Sequence, residues 1–187
     1  MTDPILFILA VLTLLGTPGP TNTLLATSGA VVGVRRSLPL LIGELGGYLI
    51  AVAAIRMVLG PVIHQWPVVG IGLKIAVVVY LGWIAFRLWR HDAALAGTET
   101  VGVRAVFITT LLNPKALIFA LSIIPAEHPA LAWFVGAFAI AVPSVGFAWI
   151  LVGRAIGAAS KNAGIIRRVA SVALVGFAGV IAASVLG

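Results

Sequence analysis

The chain has 187 residues, of which 61% are hydrophobic and only 9% charged, whereas a soluble domain carries about a quarter charged residues. Its formal net charge of +7 comes from twelve Lys and Arg that are scattered over short loops and build no basic face, which excludes a nucleic-acid-binding domain. Cysteine is absent, which excludes disulfides, thiolate metal sites and cysteine nucleophiles.

A membrane-spanning helix needs about 20 apolar residues, and six such segments can be marked: Pro4 to Ala26, Leu38 to Gly60, Val68 to Phe86, Ala105 to Pro125, Ala130 to Gly153 and Val169 to Leu186. The first begins just after Met1-Thr2-Asp3, which lacks the basic region and cleavage site of a signal peptide, so it is expected to be a retained helix. The fold class expected is therefore all-α: a polytopic membrane protein forming one transmembrane domain over residues 1–187. The connections are short. The longest, about Arg87 to Arg104, reads as a surface loop between two halves.

Nine of the basic residues lie in the odd-numbered loops: Arg35 and Arg36 in the first, Arg87, Arg90 and Arg104 in the third, Arg154, Lys161, Arg167 and Arg168 in the fifth. The second and fourth loops have none. The positive-inside rule places the odd loops in the cytoplasm and both termini outside. Trp66 and Trp133 fall near the outer interface and Trp89 near the inner one, as aromatic anchors do.

Six spans divide into three plus three, and an odd number per half means the second half, about 96–187, enters the membrane with the opposite orientation to the first, about 1–95. That is the arithmetic of an inverted repeat. The first span is interrupted by Thr17-Pro18-Gly19-Pro20-Thr21-Asn22-Thr23, and the fourth, its equivalent, by Asn113-Pro114-Lys115. In hydrocarbon, irregular backbone survives only where it is buried in protein or lines a polar cavity, and paired interruptions of this kind point to a transporter binding site. Proline at the first helical position after Thr or Asn reads as the start of a new half-helix. Both half-helix N-termini then point inward, and their free N–H groups and partial positive charge suit a carboxylate. Lys115 adds a full charge. With a rise of about 1.5 Å per residue, Asn113 lies roughly 14 Å and Pro18 roughly 9 Å from the inner face, so the breaks fall at similar depths.

Glu44, also roughly 9 Å in, is the one acidic residue well inside a span. It reads either as a structural partner of Lys115 or a loop arginine, or as a proton-coupling group or counter-charge for a substrate ammonium. Arg56 and Lys74 lie near the outer ends of their spans, where snorkelling gives them structural roles, with lining of the outer exit as the alternative for Lys74. Gly43 with Gly47, and Gly153 with Gly157, have the spacing that lets helices pack closely. Pro143-Ser144 offers a kink and a hydroxyl in the fifth span. His64 and His128 read as solvated loop residues, and three scattered histidines give no metal spacing. No nucleophile-base-orienter grouping is present, so an enzyme is not expected, nor is a cofactor.

Thr-Pro-Gly-Pro-Thr-Asn in the first span, Gly-Glu in the second, Lys74 with Tyr80-Leu81-Gly82 in the third and Asn-Pro-Lys-Ala in the fourth together resemble the LysE/RhtB family of amino-acid exporters. The resemblance implies proton-driven efflux of amino acids or similar small zwitterions across the bacterial inner membrane. It departs from the family's pattern at Thr21, which stands between Pro20 and Asn22, and at Glu44, where Asp is often seen. The expected substrate site is Pro18, Gly19, Pro20, Thr21, Asn22, Asn113, Pro114 and Lys115, with Glu44 carrying the proton or facing the ammonium. A passive channel or a metal-ion exporter of related architecture is the alternative. The expected partners are an amino acid, protons and the lipid bilayer, with no nucleic acid, and the glycine-rich faces leave room for a homodimer.

Overall fold

A computed structural model describes residues 3–59, 65–90, 101–125, 128–159 and 163–186, and every regular element among them is helical. Helix α1 spans Pro4–Gly16 and starts where the Asp3 carboxylate accepts the N–H groups of Ile5 and Leu6 at 2.8 and 2.9 Å, a capping arrangement completed by Pro4 at the first helical position. Helix α2 spans Pro20–Val32 and ends at Gly33, whose φ of 81° only glycine adopts without strain. A short α3 (Val34–Ser37) leads into α4 (Leu40–Ala54), which closes in a π-helical turn at Ile55–Leu59. After α5 (Pro67–Arg90) come α6 (Val103–Leu111) and α7 (Pro114–Ile118), the latter closing in a second π turn at Phe119–Ile123. The long helices α8 (Leu131–Ala159) and α9 (Ala163–Leu186) complete the chain.

Two of these stretches, Val34–Val58 and Leu131–Ala159, are long and apolar enough to cross a membrane unaided. Two bent pairs raise the number to four: α1 with α2, bent by 62°, and α6 with the α7 stretch, bent by 48°. Within α5 and α9 the apolar stretches are shorter, Lys74–Phe86 and Arg168–Ala183. Helix limits differ from those expected at several ends. Helix α2 continues past Ala26 to Val32, α8 past Gly153 to Ala159, and α9 begins at Ala163 and not at Val169. Apolarity and helicity are separate properties: Thr27, Ser28, Arg154, Arg167 and Arg168 interrupt the first without breaking the second.

Two apolar clusters divide the interior. One gathers Phe7, Val11, Leu15, Tyr48, Phe119, Phe134, Phe138 and Val142. The other gathers Leu24, Leu25, Leu40, Leu81, Val106, Ile150 and Leu174. The buried polar residues are Thr21, Asn22, Thr27 and Ser28 on α2, Ser37 at the end of α3, Glu44 on α4, Thr109 and Thr110 on α6, Asn113 at the second break and Ser171 on α9. Glycine lets the helices around it touch backbone to backbone. A Cβ added at Gly29, Gly153 or Gly157 would collide with the facing backbone of the α2–α8 pair, and one at Gly43 or Gly47 with α6, which agrees with the packing role expected of the glycine pairs.

Candidate functional site at the two helix breaks

At the first break Pro18 has no N–H to offer and Gly19 is fully extended (φ −171°, ψ 173°), so α1 ends with unpaired carbonyls. The chain supplies donors from its own side chains. Thr17 Oγ1 donates to the Leu14 carbonyl at 2.6 Å, and Asn22 Nδ2 reaches back from α2 to donate to the carbonyls of Leu15 and Thr17, both at 2.8 Å. Asn22 thus uses both amide hydrogens to hold the bend.

At the second break Asn113 is the N-cap of α7, its Oδ1 accepting the Lys115 N–H at 3.0 Å. That bond fixes the amide orientation, and Nδ2 donates to Thr21 Oγ1 at 3.1 Å and to Tyr48 Oη at 3.2 Å. Thr110 gives its hydroxyl hydrogen to the Val106 carbonyl at 2.8 Å, so in the 3.1 Å contact between Thr21 and Thr110 it is Thr21 that donates. A directed chain of bonds therefore runs from Asn113 through Thr21 and Thr110 into α6. Beside it the Lys115 ammonium donates to the Thr17 carbonyl, already shared with Asn22, and lies against Gly19, where a Cβ would stand 3.2 Å from both Cε and Nζ. The two breaks, 98 residues apart at the Lys115–Thr17 bond, are one hydrogen-bonded junction.

Burial divides the expected site residues. Gly19, Pro20, Thr21, Asn22 and Asn113 are buried, Lys115 is half-buried, and Pro18 and Pro114 are exposed. Glu44 is 1% exposed, and its Oε2 has no hydrogen-bond partner among the described residues. The carboxylate lies over Gly146 of α8, where any side chain would occupy its place. Glu44 Oε2 takes no hydrogen bond from Lys115, whose ammonium bonds to the Thr17 carbonyl. No family model, no curated protein and no solved structure matches the chain. Its function is therefore to be read from the chemistry of the junction.

Tyr48, Thr110 and Gly146 enter the site without having been singled out by the sequence, because their roles depend on contacts far along the chain. Arg56 is half-buried and donates to the Ile124 carbonyl at 3.3 Å, tying the α4 end to the second π turn, a structural role. Ser144 donates to the Ile140 carbonyl of its own helix at 2.7 Å. It lines an apolar groove of about 340 Å³ between α1 and α8, formed with Phe7, Val11 and Ile140, away from the junction. His128 differs from the solvated residue expected: it is half-buried, its Nδ1 accepts the Ala130 N–H at 3.1 Å, and its ring stacks edge-on against Phe134. The start of α8 draws it in. His64, Lys161 and the greater part of the loop from Arg87 to Arg104 lie outside the described residues.

Proposed function

We propose that the protein is a secondary-active exporter of amino acids or similar small zwitterions, coupled to protons, as its resemblance to the LysE/RhtB family implies. The observation that carries this reading is the junction itself, in which two interrupted helices meet through Asn113, Thr21 and Lys115, while Tyr48, which Asn113 also holds, stands one helical turn from a buried Glu44. Breaking two helices and burying a carboxylate both cost free energy that a passive scaffold has no reason to spend. The substrate carboxylate takes the place of the Thr17 carbonyl on the Lys115 ammonium, beside the N–H groups that open α2. An ammonium facing lipid at this depth is unfavourable, so the exposed Thr17, Pro18 and Pro114 are read as an aqueous approach. Glu44 carries the proton.

The proposal extends to architecture: six spans in a 3+3 inverted repeat, with both termini outside the bacterial inner membrane. Helix packing supports the repeat. The α1–α2 pair packs on α8, while its proposed equivalent, α6–α7, packs on α4, the proposed equivalent of α8; α5 and α9 pack on each other. Exchanging the halves exchanges these contacts.

The test is counterflow in proteoliposomes over an amino-acid panel, with and without a pH gradient. A carrier gives saturable, trans-stimulated flux for at least one substrate, and a flux without trans-stimulation across the panel would favour the channel. The Glu44→Gln variant is expected to keep counterflow and lose acceleration by the gradient. Full gradient-driven efflux in that variant removes Glu44 from coupling.

A further inference from the structure

Two complementary loose ends lie one turn apart on α4. Tyr48 Oη accepts a hydrogen from Asn113 and has one hydrogen of its own, for which the described residues provide no acceptor. Glu44 Oε2 is an acceptor for which they provide no donor. Residues four apart share a helix face, and helical side chains lean toward the N-terminus, which carries the Tyr48 side chain toward the Glu44 turn. The tyrosine ring has little freedom to turn elsewhere: Phe119 and Phe138 stack edge-on against it at 5.7 and 6.0 Å, and only 1% of the residue is exposed. Its hydroxyl is therefore held at the α7 break by Asn113, on the helix face that Tyr48 shares with Glu44.

We propose that Tyr48 is the positioning residue that links the junction to Glu44, donating its free hydroxyl hydrogen to the ionised carboxylate while its oxygen is held by Asn113. This inference rests on the exporter reading and deepens it. When substrate takes the Lys115 ammonium from the Thr17 carbonyl, the α7 break is released, and Asn113, capping that same helix, moves with it. Tyr48 then loses its hold, and Glu44 loses the Tyr48 hydroxyl as a donor. Occupancy of the site and charge on Glu44 become linked without contact between substrate and carboxylate. The other charged groups on the elements packed around α4 are few among the described residues. Lys115 on α7 belongs to the junction, Arg104 on α6 and Arg154 on α8 are exposed at the helix ends, and Arg56 is bound to the Ile124 carbonyl.

The variant that isolates the hydroxyl is Tyr48→Phe, which keeps both ring contacts. It is expected to lower the acceleration of efflux by a pH gradient about tenfold more than it lowers counterflow, the scale of one hydrogen bond to a charged group. In a Glu44→Gln background the same change is expected to add nothing, because the two residues act on one step. If the parent protein shows no gradient-driven efflux, the exporter reading fails and takes the inference with it. If the parent does and Tyr48→Phe matches it, only the inference fails. Equal loss of counterflow and gradient response in Tyr48→Phe, or an effect undiminished by Glu44→Gln, also overturns it.

Discussion

Lys115 and Asn22 meet at the same acceptor, the Thr17 carbonyl, yet they are expected to fail differently when replaced. Asn22 satisfies two carbonyls that α1 leaves unpaired, and an uncompensated buried carbonyl costs about 1–3 kcal/mol. Asn22→Leu should therefore lower the thermal stability of the detergent-purified protein. Lys115 holds one carbonyl that Asn22 also serves, so Lys115→Met should leave stability nearly unchanged. It should weaken substrate binding about tenfold or more, the worth of a charge-assisted hydrogen bond. Thermal melts and binding titrations of both variants check the contrast; a Lys115→Met protein with undiminished affinity would place the site elsewhere. Asn22, a substrate ligand expected from sequence, braces the bend through its amide. Local chemistry made the breaks legible, since proline, glycine and a capping asparagine act on their own neighbours. Tyr48 and Thr110 were not legible: a tyrosine in an apolar helix carries no mark of the Asn113 that it will meet 65 residues later.

Among the elements, the contact between α2 and α8 is the closest fit. Gly153 lies against the Ala26 backbone and Gly157 against Ala30, while Gly29 meets Ile150 from the other side. No flexible side chain stands there to yield, so even one methyl must push the helices apart. Overpacking of this kind costs about 1–3 kcal/mol, and Gly153→Ala should lower the melting temperature markedly. Gly176→Ala on α9, where a Cβ meets nothing within 4 Å, is the matched control and should be neutral or slightly stabilising through better helix propensity. Equal melting temperatures for the two variants would show that α2 and α8 do not approach so closely. The spacing of Gly153 and Gly157 announced a packing face, but not which helix would use it. The π turns that close α4 and α7 were silent in the sequence. They put Arg56 beside the Ile124 carbonyl, a contact across 68 residues, and their local residues are those of an ordinary apolar helix.

For the whole molecule, the decisive quantity is how many times the chain crosses the bilayer, and α5 decides it. Length and apolarity mark two candidate spans among the described residues, or four with the bent pairs, whereas the apolar part of α5, Lys74–Phe86, is shorter than a bilayer core requires. The inverted repeat nevertheless needs α5 to cross, because only an odd number of spans reverses the second half. With no native cysteine to remove, single cysteines can be placed at either end of this helix and probed with a membrane-impermeant maleimide in right-side-out vesicles. Gln65→Cys should label at once, and Arg90→Cys only after the membrane is opened. If α5 instead lies within one leaflet, both positions share a side and label together. That result would leave the α6–α7 break in the same orientation as the first, and the two half-helix N-termini would no longer oppose each other. The hydrogen-bonded junction would survive as geometry, since Asn113 and Lys115 would still reach Thr21 and Thr17. Alternating access by the exchange of two oppositely inserted halves would lose its basis.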